Sequence, residues 1–111
     1  MTDNLIVFVT CQSRVQAERI AQAVVEEKLA ACVNVLPEIR SCYVWEGKLN
    51  WSDELLLFIK TTRGRFGQLR ERILELHSYE VPEIVAVPIE EGLKPYLDWI
   101  DRSVEGIRGR H

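Results

Sequence analysis

The stretch that most constrains the fold is residues 41–62, whose pattern predicts one long β-hairpin. In its first arm the side chains alternate between two faces, with Tyr43 and Trp45 on the same one. Gly47 lies in the predicted turn, where a glycine adopts a positive φ without steric cost. The second arm contains residues 55–59, which are apolar at every position. A strand that is apolar on both faces is usually covered on both faces, so this hairpin needs protein on either side.

Apolar periodicity divides the rest of the chain into further strands and three helices. Ser13 has the residue type and position of an N-cap for the first helix. Pro37 interrupts the strand that leads into the hairpin, which predicts a bulge or a bend there. The predicted elements are, in order, a strand at 5–9, a helix from Ser13 to near Lys28, a strand at 29–36 that resumes at 39–45, a strand ending at 59, a helix over 66–76, a strand at 84–89 and a helix over 95–104.

This order predicts an α+β fold over residues 1–111 as one domain: a ferredoxin-like β-α-β-β-α-β antiparallel sheet, extended by a C-terminal helix. Four strands about 4.8 Å apart span roughly 19 Å, which is the width of two helices. The two main helices therefore cover one face of the sheet. Since the strands at 5–9, 55–59 and 84–89 are apolar on both faces, the other face must be covered as well. The third helix can cover part of it, and we expect a homo-oligomer, specifically a trimer, to cover all of it.

Composition excludes several classes of partner. The net charge is −3, which gives no reason to expect nucleic acid or an acidic membrane surface. The sequence contains neither an apolar run of about 20 residues nor a signal-type N-terminus, so we expect no membrane partner and a cytoplasmic location. Three cysteines at wide spacing predict free thiols rather than a disulfide framework.

Catalytic motifs are missing from the sequence. There is no GxSxG elbow, HExxH pair, phosphate-binding loop or dinucleotide fingerprint. The two histidines are His77 and His111, and the latter lies in a basic tail, residues 106–111, that we expect to fray. We therefore expect a protein that is not an enzyme and that carries no organic cofactor.

Five segments resemble the CutA divalent-cation-tolerance family. They are KLAACVNVLP (28–37), YVWEGK (43–48), LLFIKT (56–61), HSYEVPEIVAVPI (77–89) and YLDWI (96–100). The resemblance implies a ferredoxin-like subunit, a homotrimer whose long hairpins reach neighbouring subunits, and a cytosolic setting. It also implies an architecture like that of PII signalling proteins and a role in tolerance of copper and other divalent metals.

The resemblance implies a metal set of His77, Cys11 and Glu80, binding Cu(II) or another divalent cation weakly. Glu83 or a cysteine of a neighbouring subunit is the alternative to Glu80 as the ligand that completes the site. Cys11 lies two residues beyond Val9, the position at which some family members place a ligating cysteine. Imidazole and thiolate are ligands that copper prefers. Two alternatives for His77 stay open: a structural role at the end of its helix, and binding of a small anion.

Three aromatic residues of the hairpin, Tyr43, Trp45 and Trp51, are predicted to pack across a subunit boundary. The alternative is that they line a ligand cleft between subunits. The other candidates for such a cleft are Glu54, Lys60, Tyr79 and Glu83.

Two functions are consistent with this sequence. The first is a protein of metal tolerance and metal response, a homotrimer that binds a divalent cation weakly at clefts between subunits. The second is a PII-like signalling or scaffold module, which binds a small metabolite or a partner protein in the same clefts.

Overall fold

A computed structural model describes residues 2–105, and the predicted tail at 106–111 lies outside the described residues. Its four-stranded sheet has the order β2 (Cys32–Trp45), β3 (Lys48–Thr62), β1 (Asn4–Cys11) and β4 (Ile84–Pro88). Every neighbouring pair is antiparallel, which confirms the predicted ferredoxin-like α+β class. None of the helices within residues 2–105 is long and apolar enough to cross a membrane. The elements are β1 (Asn4–Cys11), α1 (Arg14–Glu26), β2 (Cys32–Trp45), β3 (Lys48–Thr62), a 3₁₀ turn (Arg63–Arg65), α2 (Phe66–Leu76), β4 (Ile84–Pro88) and α3 (Lys94–Glu105).

The first helix begins where the sequence predicts it. The Ser13 hydroxyl accepts a hydrogen bond from the Gln16 backbone N–H at 3.2 Å, which satisfies one free donor of the first turn. The helix ends in a turn at Lys28, whose φ is 60°, and the Leu29 N–H bonds back to the Val24 carbonyl at 2.9 Å. This turn uses residues 29–31, so the prediction that the next strand begins at residue 29 is wrong: β2 begins at Cys32.

The hairpin has both predicted irregularities. The pairing of β2 with β3 shifts register between Leu36 and Ile39, which confirms a bulge at the proline. Trp45 pairs with Lys48, so the turn consists of two residues. Both of them have positive φ (52° and 81°), as a type I′ turn requires.

One face of the sheet carries the main core. Val7, Val9, Leu57 and Ile59 are completely buried beneath α1 and α2. These residues pair across β1 and β3, so their side chains point to the same side. This packing confirms that the two main helices share one face.

The opposite face is largely uncovered within the chain, and we call it the open face. It comprises the outward-alternating apolar residues Ile6, Phe8, Leu36, Leu56, Phe58, Val85 and Val87. The rings of Phe8 and Phe58 meet edge to face at its centre, with centroids 5.0 Å apart. At one end α3 buries Ile100 and Val104 against Ala31, and the Asp101 carboxylate accepts a hydrogen bond from the Asn4 amide.

The edge strand β4 has little cover on either face. Val85 is 50% exposed and Val87 is 42% exposed on the open face. Ala86 and Pro88 are also exposed, although their side chains alternate to the helix side, because α1 packs on β1, β2 and β3 rather than over β4. Pro88 lies on this edge strand, a position at which a residue without an N–H donor is tolerated.

Candidate functional site at the end of the first strand

The candidate site lies where β1 ends while its neighbours in the sheet continue. β1 ends at Cys11, which pairs with Leu55, whereas β2 and β3 continue beyond it as the projecting hairpin. The segment between α2 and β4 packs against the end of β1, because the His77 ring forms a hydrogen bond with the Thr10 carbonyl. Polar side chains from four parts of the chain meet here, and we call them the β1-end cluster: Cys11, Ser41, Glu54, His77 and Tyr79.

Glu54 lies at the centre of the cluster and is only 8% exposed. One carboxylate oxygen accepts a hydrogen bond from the Ser41 hydroxyl at 2.5 Å, and the other accepts one from the Tyr79 hydroxyl at 3.0 Å. Both donors are neutral, and none of the ion pairs found within residues 2–105 includes Glu54. A buried carboxylate without a positive partner carries a desolvation cost, so this site favours an added cation.

The two acidic neighbours of Glu54 keep their protons at neutral pH. Burial, and to a smaller extent the charge of Glu54, raises the pKa of the Cys11 thiol to about 11. Burial also raises the pKa of Tyr79 to about 12, with the hydrogen bond to Glu54 and its charge acting in the same direction. Negative charge in the cluster is therefore concentrated on Glu54.

Alkaline pH is expected to destabilise the fold through Cys11. Its pKa is higher in the folded chain than the ordinary value of 9.0, so the thiol proton stabilises the fold below pH 9, and this contribution is lost as pH rises towards 11. We expect the urea midpoint to fall over this range in the wild type and to fall less in Cys11→Ala. Cys42→Ala is the matched control, since Cys42 is an exposed free thiol. An identical alkaline loss in Cys11→Ala would contradict this assignment.

His77 is buried and bonds the backbone through both ring nitrogens. Its Nδ1 accepts a hydrogen bond from the Tyr79 N–H at 3.1 Å, so its Nε2 carries the proton and donates to the Thr10 carbonyl at 2.7 Å. The ring also packs against the Tyr79 ring, with centroids 4.8 Å apart. Neither ring nitrogen therefore has a lone pair free for a metal. The two hydrogen bonds also connect the end of β1 to Tyr79, whose hydroxyl donates to Glu54.

The three predicted metal ligands are not assembled by one chain. Cys11 and His77 both lie in the β1-end cluster, whereas Glu80 and Glu83 are exposed beyond it. Within residues 2–105, no group of three or more His, Cys, Asp or Glu residues is placed so that it could hold a metal ion. The carboxylate whose charge acts on Cys11 is that of Glu54 instead.

The three predicted hairpin aromatics are divided between two faces. Tyr43 and Trp45 alternate to the same side, and Tyr43 makes a small contribution to the raised pKa of Tyr79. Trp51 alternates to the other side, where the Arg40 guanidinium lies 5.0 Å from its ring centroid. All three rings are exposed in the single chain, so they do not form one cleft within it.

Ser41 is the member of the cluster that sequence reasoning missed. It pairs with Ser52 in the hairpin, which places its hydroxyl diagonally beside Glu54. The sequence would have revealed Ser41 only if the register in which β2 pairs with β3 beyond the Pro37 bulge had been known. The Ser52 hydroxyl oxygen is itself buried and has no hydrogen-bond partner within residues 2–105.

Comparison with known proteins places the chain in a family. Residues 5–103 match the family described as CutA1 divalent ion tolerance protein. The chain belongs to the CutA1 family. Among its CutA relatives is the divalent-cation tolerance protein CutA of Thermus thermophilus, which is 52% identical over 95 residues, covering 86% of this chain and 92% of the relative.

Solved CutA structures share the fold. CutA from Xylella fastidiosa superposes with a TM-score of 0.91 at 39% identity, covering 93% of this chain and 99% of that one. The structure described as the periplasmic divalent cation tolerance protein CutA from Archaeoglobus fulgidus has a TM-score of 0.89 at 45% identity, with 92% and 99% coverage. The family resemblance noted in the sequence is thereby confirmed.

Proposed function

We propose that this CutA1-family chain acts in divalent-cation tolerance as a homotrimer that binds a divalent cation weakly at the β1-end cluster. The buried carboxylate of Glu54 carries this proposal, because its hydrogen-bond donors are neutral and a cation would compensate its charge. The names of the relatives, which are called divalent-cation tolerance proteins, support the same role.

Three side chains of the cluster would hold the cation. Glu54 offers a carboxylate, Cys11 a thiol sulfur and Tyr79 a hydroxyl oxygen, a mixed set that suits Cu(II) or another transition-metal ion. Binding to the thiol would require removal of its proton, which lowers affinity at neutral pH. One chain supplies few ligands, so we propose that the remainder come from water or from a neighbouring copy.

The surface of the chain supports the homotrimer. The open face exposes a continuous apolar area, and such areas on soluble chains mark interfaces. Residues 48–54 of β3 pair with β2 on one edge and extend past the end of β1 on the other. A closed ring of copies would cover the open face and shield these strand edges, as cyclic assemblies do.

The decisive variant is Glu54→Gln, which preserves shape and removes the charge. Calorimetric titration of metal-free protein with Cu(II) and with Zn(II) should show at least about a tenfold loss of affinity, since one lost charge interaction in a buried site costs about 1.4 kcal/mol or more. Glu80→Gln is the matched control, because Glu80 is exposed and outside the cluster. Wild-type affinity in Glu54→Gln, or an equal loss in Glu80→Gln, would overturn the proposed site.

A further inference from the structure

A second uncompensated charge lies on the same strand and the same face as Glu54. Lys60 follows Glu54 by six positions on β3, and side chains at even separations along a strand point to the same side. Its ammonium group donates to the side-chain oxygen of Asn34. No carboxylate within residues 2–105 lies in ion-pair distance of it.

These two charges cannot meet within one chain. Six residues of extended strand span about 20 Å, and β3 is paired along this whole length. Leu56 and Phe58 occupy the positions between them on the open face. The open face is thus an apolar strip with the unpaired Glu54 carboxylate at one end and the unpaired Lys60 ammonium group at the other. Such a strip is complementary in charge to the same strip on a second copy of the chain.

We infer that the β1-end cluster is completed by a neighbouring copy, with Lys60 of the partner subunit placed against the Glu54 carboxylate. This inference rests on the proposed function, since it names what occupies the same cluster when no divalent cation is bound. Contact through the open face buries Phe58 and its neighbours, and it brings the opposite charges together where water is excluded. Without this pairing, contact between copies would bury the Lys60 ammonium group and the Glu54 carboxylate without an opposite charge, and each would carry a desolvation cost.

The ammonium group then acts as a tethered competitor of the divalent cation. Both bind the same carboxylate, so a cation must displace Lys60 of the partner subunit before it occupies the cluster. This competition accounts for weak binding without requiring a poor ligand set. Removal of the competitor strengthens cation binding, whereas removal of Glu54 weakens it, so the two changes have opposite signs.

Calorimetric titration of Lys60→Met with Zn(II) and Cu(II) tests the inference. We expect about a tenfold gain in affinity over the wild type, because the competing charge is gone while the apolar stem remains. Lys60→Arg keeps the charge and should bind as weakly as the wild type. Lys48→Met is the matched control, as Lys48 is an exposed lysine at the hairpin turn, and it should leave affinity unchanged.

A double-mutant cycle gives an independent readout of the pair. Trimer dissociation on dilution is followed by light scattering for Glu54→Gln, Lys60→Met and the double variant, and coupling between the two sites supports contact across copies. Unchanged cation affinity in Lys60→Met together with additive effects on dissociation overturns the inference. If Glu54→Gln still weakens cation binding in that case, the proposed function stands and only the partner's role fails. If neither variant changes affinity, both fail.

Discussion

Replacing Phe58 by glutamate is expected to convert the proposed trimer into monomers. Phe58 lies at the centre of the open face, where its ring meets Phe8 edge to face. A carboxylate buried there between copies would have no positive partner, and leaving such a charge uncompensated costs several kcal/mol. Light scattering coupled to gel filtration should show the mass fall from three chains to one.

A second apolar-to-charged variant separates this effect from a general loss of solubility or folding. Val15 is 78% exposed on α1, on the helix side of the sheet, so Val15→Glu should remain a trimer. Far-ultraviolet circular dichroism should show the wild-type secondary structure for both variants. A folded Phe58→Glu protein that keeps the trimer mass would show that copies do not meet through the open face.

Replacing His77 by alanine is expected to cost about 2–5 kcal/mol of unfolding free energy. The change leaves the buried Thr10 carbonyl and the Tyr79 N–H without their partner, at about 1–3 kcal/mol each, and it removes a buried ring. Urea unfolding at a fixed protein concentration measures the loss. Because Tyr79 then loses its backbone hydrogen bond to the His77 ring, the variant should also bind cations more weakly than the wild type.

Ser78→Ala is the matched control for His77→Ala. Ser78 is the exposed next residue, and its hydroxyl makes only a long 3.4 Å hydrogen bond to Gln16, so its loss should change stability by less than about 0.5 kcal/mol. If His77→Ala keeps full stability but loses Cu(II) binding completely, His77 is a metal ligand. That outcome would contradict the hydrogen-bonding role of the ring.

Much of the fold was predictable because local chemistry and apolar periodicity agree along the chain. The bulge follows from the missing donor of Pro37, the hairpin turn from Gly47 and the first helix from its Ser13 cap. The start of β2 was not predictable in the same way. Residues 29–31 are as apolar as a strand, and they are used instead to reverse the chain after a lysine in the left-handed conformation.

The candidate site was less accessible to sequence reasoning because it depends on where neighbouring strands end. Cys11, Glu54 and Tyr79 were each recognised as candidates, but their proximity follows from β1 stopping opposite Leu55. The hydrogen bonds of the His77 ring depend on a backbone carbonyl 67 residues away, which no local pattern reveals. Glu80 was predicted as a ligand because it matches the family stretch that contains His77, whereas the fold leaves Glu80 in solvent.

A crystal of the protein soaked in Cu(II) tests most directly whether Glu54 and Cys11 receive the cation, as proposed. Anomalous scattering at the copper edge should show a peak beside the Glu54 carboxylate and the Cys11 sulfur, within about 2–2.5 Å of at least one of them. A crystal with full copper occupancy only at surface residues such as Glu80, and none at the β1-end cluster, would contradict the account.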